Sequence, residues 1–291
     1  MSVNLIVAVC KNNGIGLNNK IPWKISEDMH YFSKKTSGNY PSDGNKKNAV
    51  IMGRNTWESL PKKYKPLPHR FNIVLTKNRQ GQGQGQGQGL KDSNTDVEYL
   101  SSIDDVVDLC YGQDEKGEKG EKGEKGEKGE KGEKGEKGEK NAKLVSYKFN
   151  DIWVIGGSSI YQEFIKRDTN KGINIYNIIK ISKYYITYID KDYDCDTYFP
   201  LLENMNKYHL AHFEKQKCID SNTPNDYPLS VYYIVLKKIK YTDEKTIEEL
   251  FTPYKSNNDK KSNLILYVKN TNTDNYNKEE DLEIIFSMFS S

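Results

Sequence analysis

Short continuous apolar runs recur along the first half of the chain: LIVAVC (5–10), AVIM (49–52), FNIVLT (71–76), VEYL (97–100) and IWVI (152–155). Apolar runs this short, without polar alternation, fit strands covered on both faces. Amphipathic stretches at 26–36, 54–60, 102–110 and 158–166 lie between them and have the spacing of helices. Strands alternating with helices predict an α/β fold, with a mostly parallel central sheet of about eight strands and four flanking helices. YYITYI (184–189), YHLAHFEK (208–215) and SVYYIVLKK (230–238) then follow one another without a helical crossover. The last two predict a C-terminal antiparallel hairpin at the sheet edge.

Two tracts interrupt this pattern. GQGQGQGQG (81–89) separates FNIVLT from VEYL, and Glu-Lys-Gly repeats fill 115–140 before IWVI. The repeat places glycine at every third position but holds no proline, which argues against a collagen triple helix. Neutral and without apolar side chains, it can bury nothing. Both tracts are expected to be disordered surface inserts, at about 80–92 and 113–143, in a domain spanning 1–240. Beyond 240 the stretch TIEELFTPYKSNNDKKSN reads as linker and LILYVK (264–269) as a short strand. NKEEDLEIIFSMFSS (277–291) has apolar residues at 282, 285, 286 and 289 with acids in its first turn, the pattern of a helix cut off from a larger body.

Composition narrows the function classes. The 291 residues suit one large domain or two modest ones. The formal net charge is +3, and because residues 241–291 hold 6 Lys against 10 Asp and Glu, residues 1–240 carry +7. That excess suits a small anionic ligand and is too weak and too scattered for a nucleic-acid surface. Cys10, Cys110, Cys195 and Cys218 form no CxxC pair, and no histidine stands at metal-ligand spacing, so no metal site is expected. Reduced thiols favour a cytoplasmic setting. The N-terminus lacks the basic region and the apolar length of a signal peptide, and no stretch approaches a membrane span.

Chemistry is concentrated at strand ends. VIGGSSIY (154–161) is a strand, a Gly-Gly turn and a helix start, where free N–H groups and the helix dipole favour phosphate; a plain connecting turn is the alternative. IMGRNTWESLP (51–61) repeats the theme, with Arg54 as a planar fork for phosphate or as a solvated arginine. Thr76 and Lys77 follow the next strand toward the same carboxyl edge, where open α/β sheets bind ligands. Three such ends suggest a phosphorylated dinucleotide, although the GxGxxG fingerprint is absent. NNGIGLNNKIPW (12–23) is mobile by composition and reads as a lid or as an ordinary connection. In IPWKISEDMHYF (21–32), a helix opening at Ser26 places Asp28, Tyr31 and Phe32 on one face expected to enter the core, as it does Met29 with Phe32. Asp28 has no partner nearby in sequence. It either favours the helix dipole or receives two parallel hydrogen bonds from a ligand's amidine-like edge.

Taken together, the chain resembles dihydrofolate reductase from Leu5 to about Lys238, with the two tracts as insertions. The stretches that carry the resemblance are LIVAV, GIGLNNKIPW, EDMHYF, VIMGRNTWES, PLPHRFNIVLT, VIGGSSIY, ITYI and DTYFP. The resemblance implies the dihydrofolate reductase fold, NADPH as cofactor, and dihydrofolate and antifolates as ligands. It implies that Asp28 is the catalytic acid at the pterin amidine edge, supported by Thr187. Ile6, Val7, Met29, Phe32, Ile155 and Tyr161 would line the substrate pocket. Arg70 would hold the substrate's α-carboxylate, with Leu60 and Leu67 against its aminobenzoyl ring. Ala8, Ile15 and Gly16 would meet the nicotinamide, and Gly53, Arg54, Thr56, Thr76 and Lys77 the cofactor phosphates. Gly156 and Gly157, joined by a cis peptide, would lead into Ser158, Ser159, Ile160 and Tyr161 along the pyrophosphate and nicotinamide.

The implied reaction is NADPH-dependent reduction of 7,8-dihydrofolate to 5,6,7,8-tetrahydrofolate, serving one-carbon and thymidylate metabolism. EEDLEIIFSMFSS resembles the first helix of thymidylate synthase, as it follows a linker in protist bifunctional enzymes, whose synthase domain is a homodimer. No synthase active-site cysteine motif is present, so this chain is not expected to make thymidylate itself. Two rival readings are a pyrimidine reductase of riboflavin synthesis and a non-catalytic scaffold whose tracts bind partners. The PW loop, Asp28 and PLPxR argue against the first, and the intact set of site residues against the second.

Overall fold

The structure, a computed structural model, describes residues 1–39, 46–77, 96–111, 149–169, 179–200, 208–223 and 227–238. Both low-complexity tracts, the expected linker, the LILYVK strand and the helix expected at 277–291 lie outside the described residues. The elements run β1 (Ser2–Cys10), β2 (Gly14–Gly16), α1 (Ser26–Ser37), β3 (Asn48–Gly53), α2 (Arg54–Ser59), β4 (Arg70–Leu75), β5 (Val97–Leu100) and α3 (Ile103–Tyr111). They continue with β6 (Ile152–Gly156), α4 (Ser158–Thr169), β7 (Lys180–Ile189), β8 (Thr197–Tyr198), β9 (Tyr208–Cys218) and β10 (Leu229–Lys238).

Eight strands form one sheet in the order β5-β4-β3-β6-β1-β7-β10-β9. Every neighbouring pair from β5 to β7 is parallel, and only β10 runs the other way, antiparallel to both β7 and β9. This is the expected α/β sheet with its terminal hairpin. β1 shows why its run is apolar throughout. Leu5, Val7 and Val9 enter the core beneath α3 and α4 with Val106 and Phe164. Ile6, pointing the other way, joins Trp57 of α2 and Ile155 of β6, with Phe32 of α1 against them.

The connections from β1 through β4 move one way across the sheet, and those from β5 through β7 move back. Right-handed crossovers therefore place α1 and α2 on one face and α3 and α4 on the other. The direction reverses between β3 and β6, which opens a crevice at their carboxyl ends.

Two features depart from the sequence expectation. β2 and β8 pair as a separate two-stranded sheet that no periodicity announced, since each is too short to show a period. In α1 the fully buried residues are the polar Asp28 and Thr36. Met29, expected in the core, is 50% exposed, because it stands about 100° around the helix from the buried Asp28. The helix ends complement their dipole, with Glu27 and Asp28 in the first turn and Lys34 and Lys35 in the last.

Candidate functional site

α1 lies over one face of the sheet, with Asp28 near its start and Thr36 beside Asn48 at the amino end of β3. The carboxyl is 6% exposed and has no cationic partner among the described residues. Burial pushes its pKa up to about 6, and the Thr187 hydroxyl and the Trp23 indole N–H keep it from rising further. Thr187 on β7 stands in register with Ala8 on β1 and Tyr233 on β10, which brings three strands to the acid. The Tyr31 and Tyr233 rings stack at 4.5 Å between centroids. The Tyr31 and Tyr233 hydroxyls and Trp23 Nε1 are buried without a hydrogen bond of ordinary geometry, so Trp23 acts on Asp28 only at longer range. Buried polar atoms of this kind ordinarily hold water. Asp220, itself buried, accepts the Lys24 backbone N–H at 2.8 Å and so fixes the stretch that carries Trp23.

Arg70 defines the opposite end. It is 3% exposed, yet no carboxylate among the described residues pairs with it. Its Nη1 donates to Thr36 Oγ1 at 2.6 Å and its Nε to the Pro68 carbonyl at 2.9 Å, while the guanidinium carbon stands 5.8 Å from the Phe32 ring centre. Burial pushes its pKa down to about 10. Asn72, wholly enclosed, shapes the PLPHR turn: its Nδ2 donates to the carbonyls of Leu67 and Arg70, and its Oδ1 accepts the Leu67 N–H. Thr36 is two turns past Asp28 on the same stripe of α1, about 12 Å along the axis. A lone buried acid and a lone buried guanidinium thus bracket an apolar wall of Ile6, Ile155, Leu67 and the half-buried Phe32 and Leu60. Val7 reaches this wall only with its backbone, since its side chain lies in the opposite core.

The crevice beside this groove is built from glycines. The Gly156–Gly157 peptide is cis, as the resemblance implies. Gly156 has φ +107°, and a Cβ there would fall 2.9 Å from the Tyr161 ring. A Cβ on Gly53 would stand 3.0 Å from Ile160, and one on Gly157 would stand 3.3 Å from Thr56 Oγ1. The missing side chains let the starts of α2 and α4 approach each other. Ser159 is exposed at the start of α4, and Ser158 donates from Oγ to the Tyr198 carbonyl at 2.6 Å. Arg54 is exposed but bound within its own helix to Glu58 at 2.6 Å, and Thr76 and Lys77 follow β4 at the same edge. Tyr161 is internal: its hydroxyl donates to the Ile6 carbonyl at 2.7 Å, which ties α4 to β1.

The loop after β1 is held more firmly than its composition suggests. Gly14 and Gly16 pair with Tyr198 and Thr197, Asn13 Nδ2 donates to the Phe199 carbonyl at 2.8 Å, and Asn12 Nδ2 to the Tyr193 carbonyl at 3.0 Å. Ile15 and Gly16 therefore sit on a braced ribbon. Two hollows of about 390 and 570 Å³, near Tyr193 and Tyr227, share no residue with the acid–arginine groove.

Sequence reasoning missed Thr36, Asn72, Trp23 and Tyr233. Thr36 repeats the spacing of Asp28 and Phe32, and Asn72 is the polar residue within FNIVLT, so both carried a signal. Tyr233 carried none, because its nearness to Asp28 arises from strand pairing.

The fold and site define an open α/β protein with an unpaired buried acid beside the carboxyl half of β1 and β7 and an unpaired buried arginine at the amino end of β4. A family model described as dihydrofolate reductase matches residues 2–116. The dihydrofolate reductase of Heliothis virescens is 31% identical over 242 residues, covering 82% of this chain and 98% of the relative. That of Schistosoma mansoni is 30% identical, covering 70% and 80%. Bifunctional dihydrofolate reductase-thymidylate synthase 2 of Arabidopsis thaliana is 32% identical over 200 residues, which cover 68% of this chain and 26% of the relative. The chain belongs to the dihydrofolate reductase family of enzymes. No described helix is long and apolar enough to cross a membrane.

Proposed function

We propose that the chain reduces 7,8-dihydrofolate to 5,6,7,8-tetrahydrofolate with NADPH. The observation that carries this is the pair of buried, uncompensated charges at the two ends of one groove: Asp28 on α1, and Arg70 on β4, which Thr36 of the same α1 stripe holds. A buried charge is costly unless it is paired. A ligand with hydrogen-bond donors at one end, an aromatic middle and a carboxylate at the other satisfies both. Asp28 would receive two parallel hydrogen bonds from the pterin edge and hold the ring in place. With a pKa near neutrality it can also polarise the ring while a water in its buried polar surroundings delivers the proton to N5. Arg70, already oriented by Thr36 and Pro68, would hold the substrate carboxylate as a fork.

The residues of the second crevice fit NADPH. The start of α4 supplies backbone donors, Ser159, Arg54 and Lys77 are exposed around it, and the glycines admit close backbone approach. Bound NADPH would supply the hydride, passed from nicotinamide C4 to pterin C6. Ala8, Ile15 and Gly16 would position that ring. The same reading places the reductase domain in 1–240 and, in 241–291, a linker and the start of a synthase domain like that named in the bifunctional relatives.

A spectrophotometric assay of dihydrofolate-dependent NADPH oxidation tests this. The parent should turn over. Asp28→Asn should bind NADPH normally but lose most turnover at neutral pH, and Arg70→Leu should raise KM for dihydrofolate at least about tenfold. Unchanged kinetics in both variants would sink the assignment.

A further inference from the structure

Four free cysteines occur among the described residues, and folding brings two of them together. Cys10 closes β1 and Cys195 precedes β8; although 185 residues apart, their Sγ atoms lie 3.8 Å from each other. Cys10 is fully buried, and Cys195 is partly open to solvent. The loop is moulded around this contact. A Cβ on Gly14 would fall 2.3 Å from Cys195 Sγ, so only glycine lets that sulfur lean across the loop. The Cys10 thiol donates to Asn12 Oδ1 at 2.9 Å, with the Gly14 carbonyl at 3.3 Å, and thereby senses the loop on its other side.

We propose that Cys10 and Cys195 are a redox modification site, closed to a disulfide by a small disulfide oxidant such as oxidised glutathione. The Cys195 thiolate attacks one sulfur of the oxidant, forming a mixed disulfide and releasing one glutathione thiolate. The Cys10 thiolate then attacks Cys195 Sγ and displaces the second. Two protein thiols are oxidised, one disulfide is reduced, and two glutathione molecules leave with the two protons. Bonding draws the sulfurs from 3.8 Å to about 2.05 Å. It also removes the Cys10 proton that bonds Asn12, and it shifts Cys195 against Gly14. That movement passes to β2, which carries Ile15 and Gly16, and to β8, whose Tyr198 carbonyl holds Ser158 at the start of α4. Oxidation is therefore expected to slow turnover by disturbing the ribbon assigned above to the nicotinamide, a consequence that rests on the proposed function. Burial, followed by the nearness of Cys10, pushes the Cys195 thiol up to about 11, so closure should speed up about tenfold per pH unit below that value.

The test incubates the full chain with oxidised glutathione at pH 7.5 and pH 9, then measures intact mass, maps peptides and assays turnover. Support is a chain lighter by two hydrogens, a Cys10–Cys195 cross-linked peptide formed faster at pH 9, and a several-fold loss of turnover restored by dithiothreitol. Cys195→Ser should keep its activity through the same treatment. Only glutathione adducts, a link without loss of turnover, or equal loss in Cys195→Ser would each overturn the proposal. Absence of NADPH oxidation in the reduced chain would refute the functional reading instead, and the peptide map would still decide whether the link forms.

Discussion

Asp28 holds its proton to about pH 6 in the folded chain, whereas the ordinary carboxyl releases it near 3.8, and the cause is burial. Between those values the folded state binds a proton that the unfolded state has already lost. Stability therefore falls as pH rises through this window, and at pH 7 the ionised carboxylate destabilises the unliganded fold by about 3 kcal/mol. Asp28→Asn should accordingly be more stable than the parent at pH 7 by up to about 3 kcal/mol, with the difference vanishing below about pH 4. Urea denaturation at both pH values checks this; an Asn variant less stable at pH 7 would show that the carboxylate is better compensated than its surroundings indicate. A substitution that stabilises the fold while abolishing turnover is the signature expected of a binding acid.

α1 acts as a ruler: Asp28, Phe32 and Thr36 mark three successive turns, and Thr36 hands the last mark to Arg70. Thr36→Val keeps the shape but removes the hydroxyl that aims the guanidinium. It should raise KM for dihydrofolate roughly tenfold with kcat within about twofold, whereas an unchanged KM would show that Pro68 suffices. Much of this element was legible in the sequence. The helical spacing of 26–36, the odd acid on its face and the strand runs all survived into the structure, because each is set by local periodicity. The inward turn of Thr36 and the outward roll of Met29 depend on where the helix axis lies over the sheet, which no spacing encodes. β2 and β8 escaped for a similar reason: their pairing joins Gly14 to Tyr198, and neither segment is long enough to show alternation. The glycine and arginine motifs were readable as phosphate chemistry, but the ion pair of Arg54 with Glu58 appears only in three dimensions.

Across the whole molecule, the two edges of the sheet have different tasks. The carboxyl edge carries the glycine crevice and the acid end of the groove, which runs across the sheet face to Arg70 at the start of β4. The opposite edge carries a buried structural knot: Asp168 of α4 accepts the Ile181 N–H at 3.0 Å and the Tyr208 hydroxyl at 2.8 Å, and pairs with Lys238 at 2.6 Å. Asp168→Ala would leave all three donors without their acceptor and should cost about 3–5 kcal/mol by urea denaturation, with kinetics of the surviving folded protein unchanged. The Glu-Lys-Gly tract falls in the sequence after Tyr111 of α3 and before Phe149, which leads into the amino end of β6. Excising 115–140 removes no apolar side chain and should leave kcat and KM within about twofold and stability within about 1 kcal/mol. A large loss of either would give the tract a role in the fold.

The reversed direction of β10 has a consequence for where the chain leaves the sheet. Its Val231 sits beside Ile189 at the carboxyl edge and its Lys237 beside Lys183 at the amino edge, so the chain departs from the side remote from the acid. A ten-residue strand spans about 30 Å. Lys238 therefore lies about that far from Leu229, at the same edge of the sheet as the arginine end of the groove and away from its acid end.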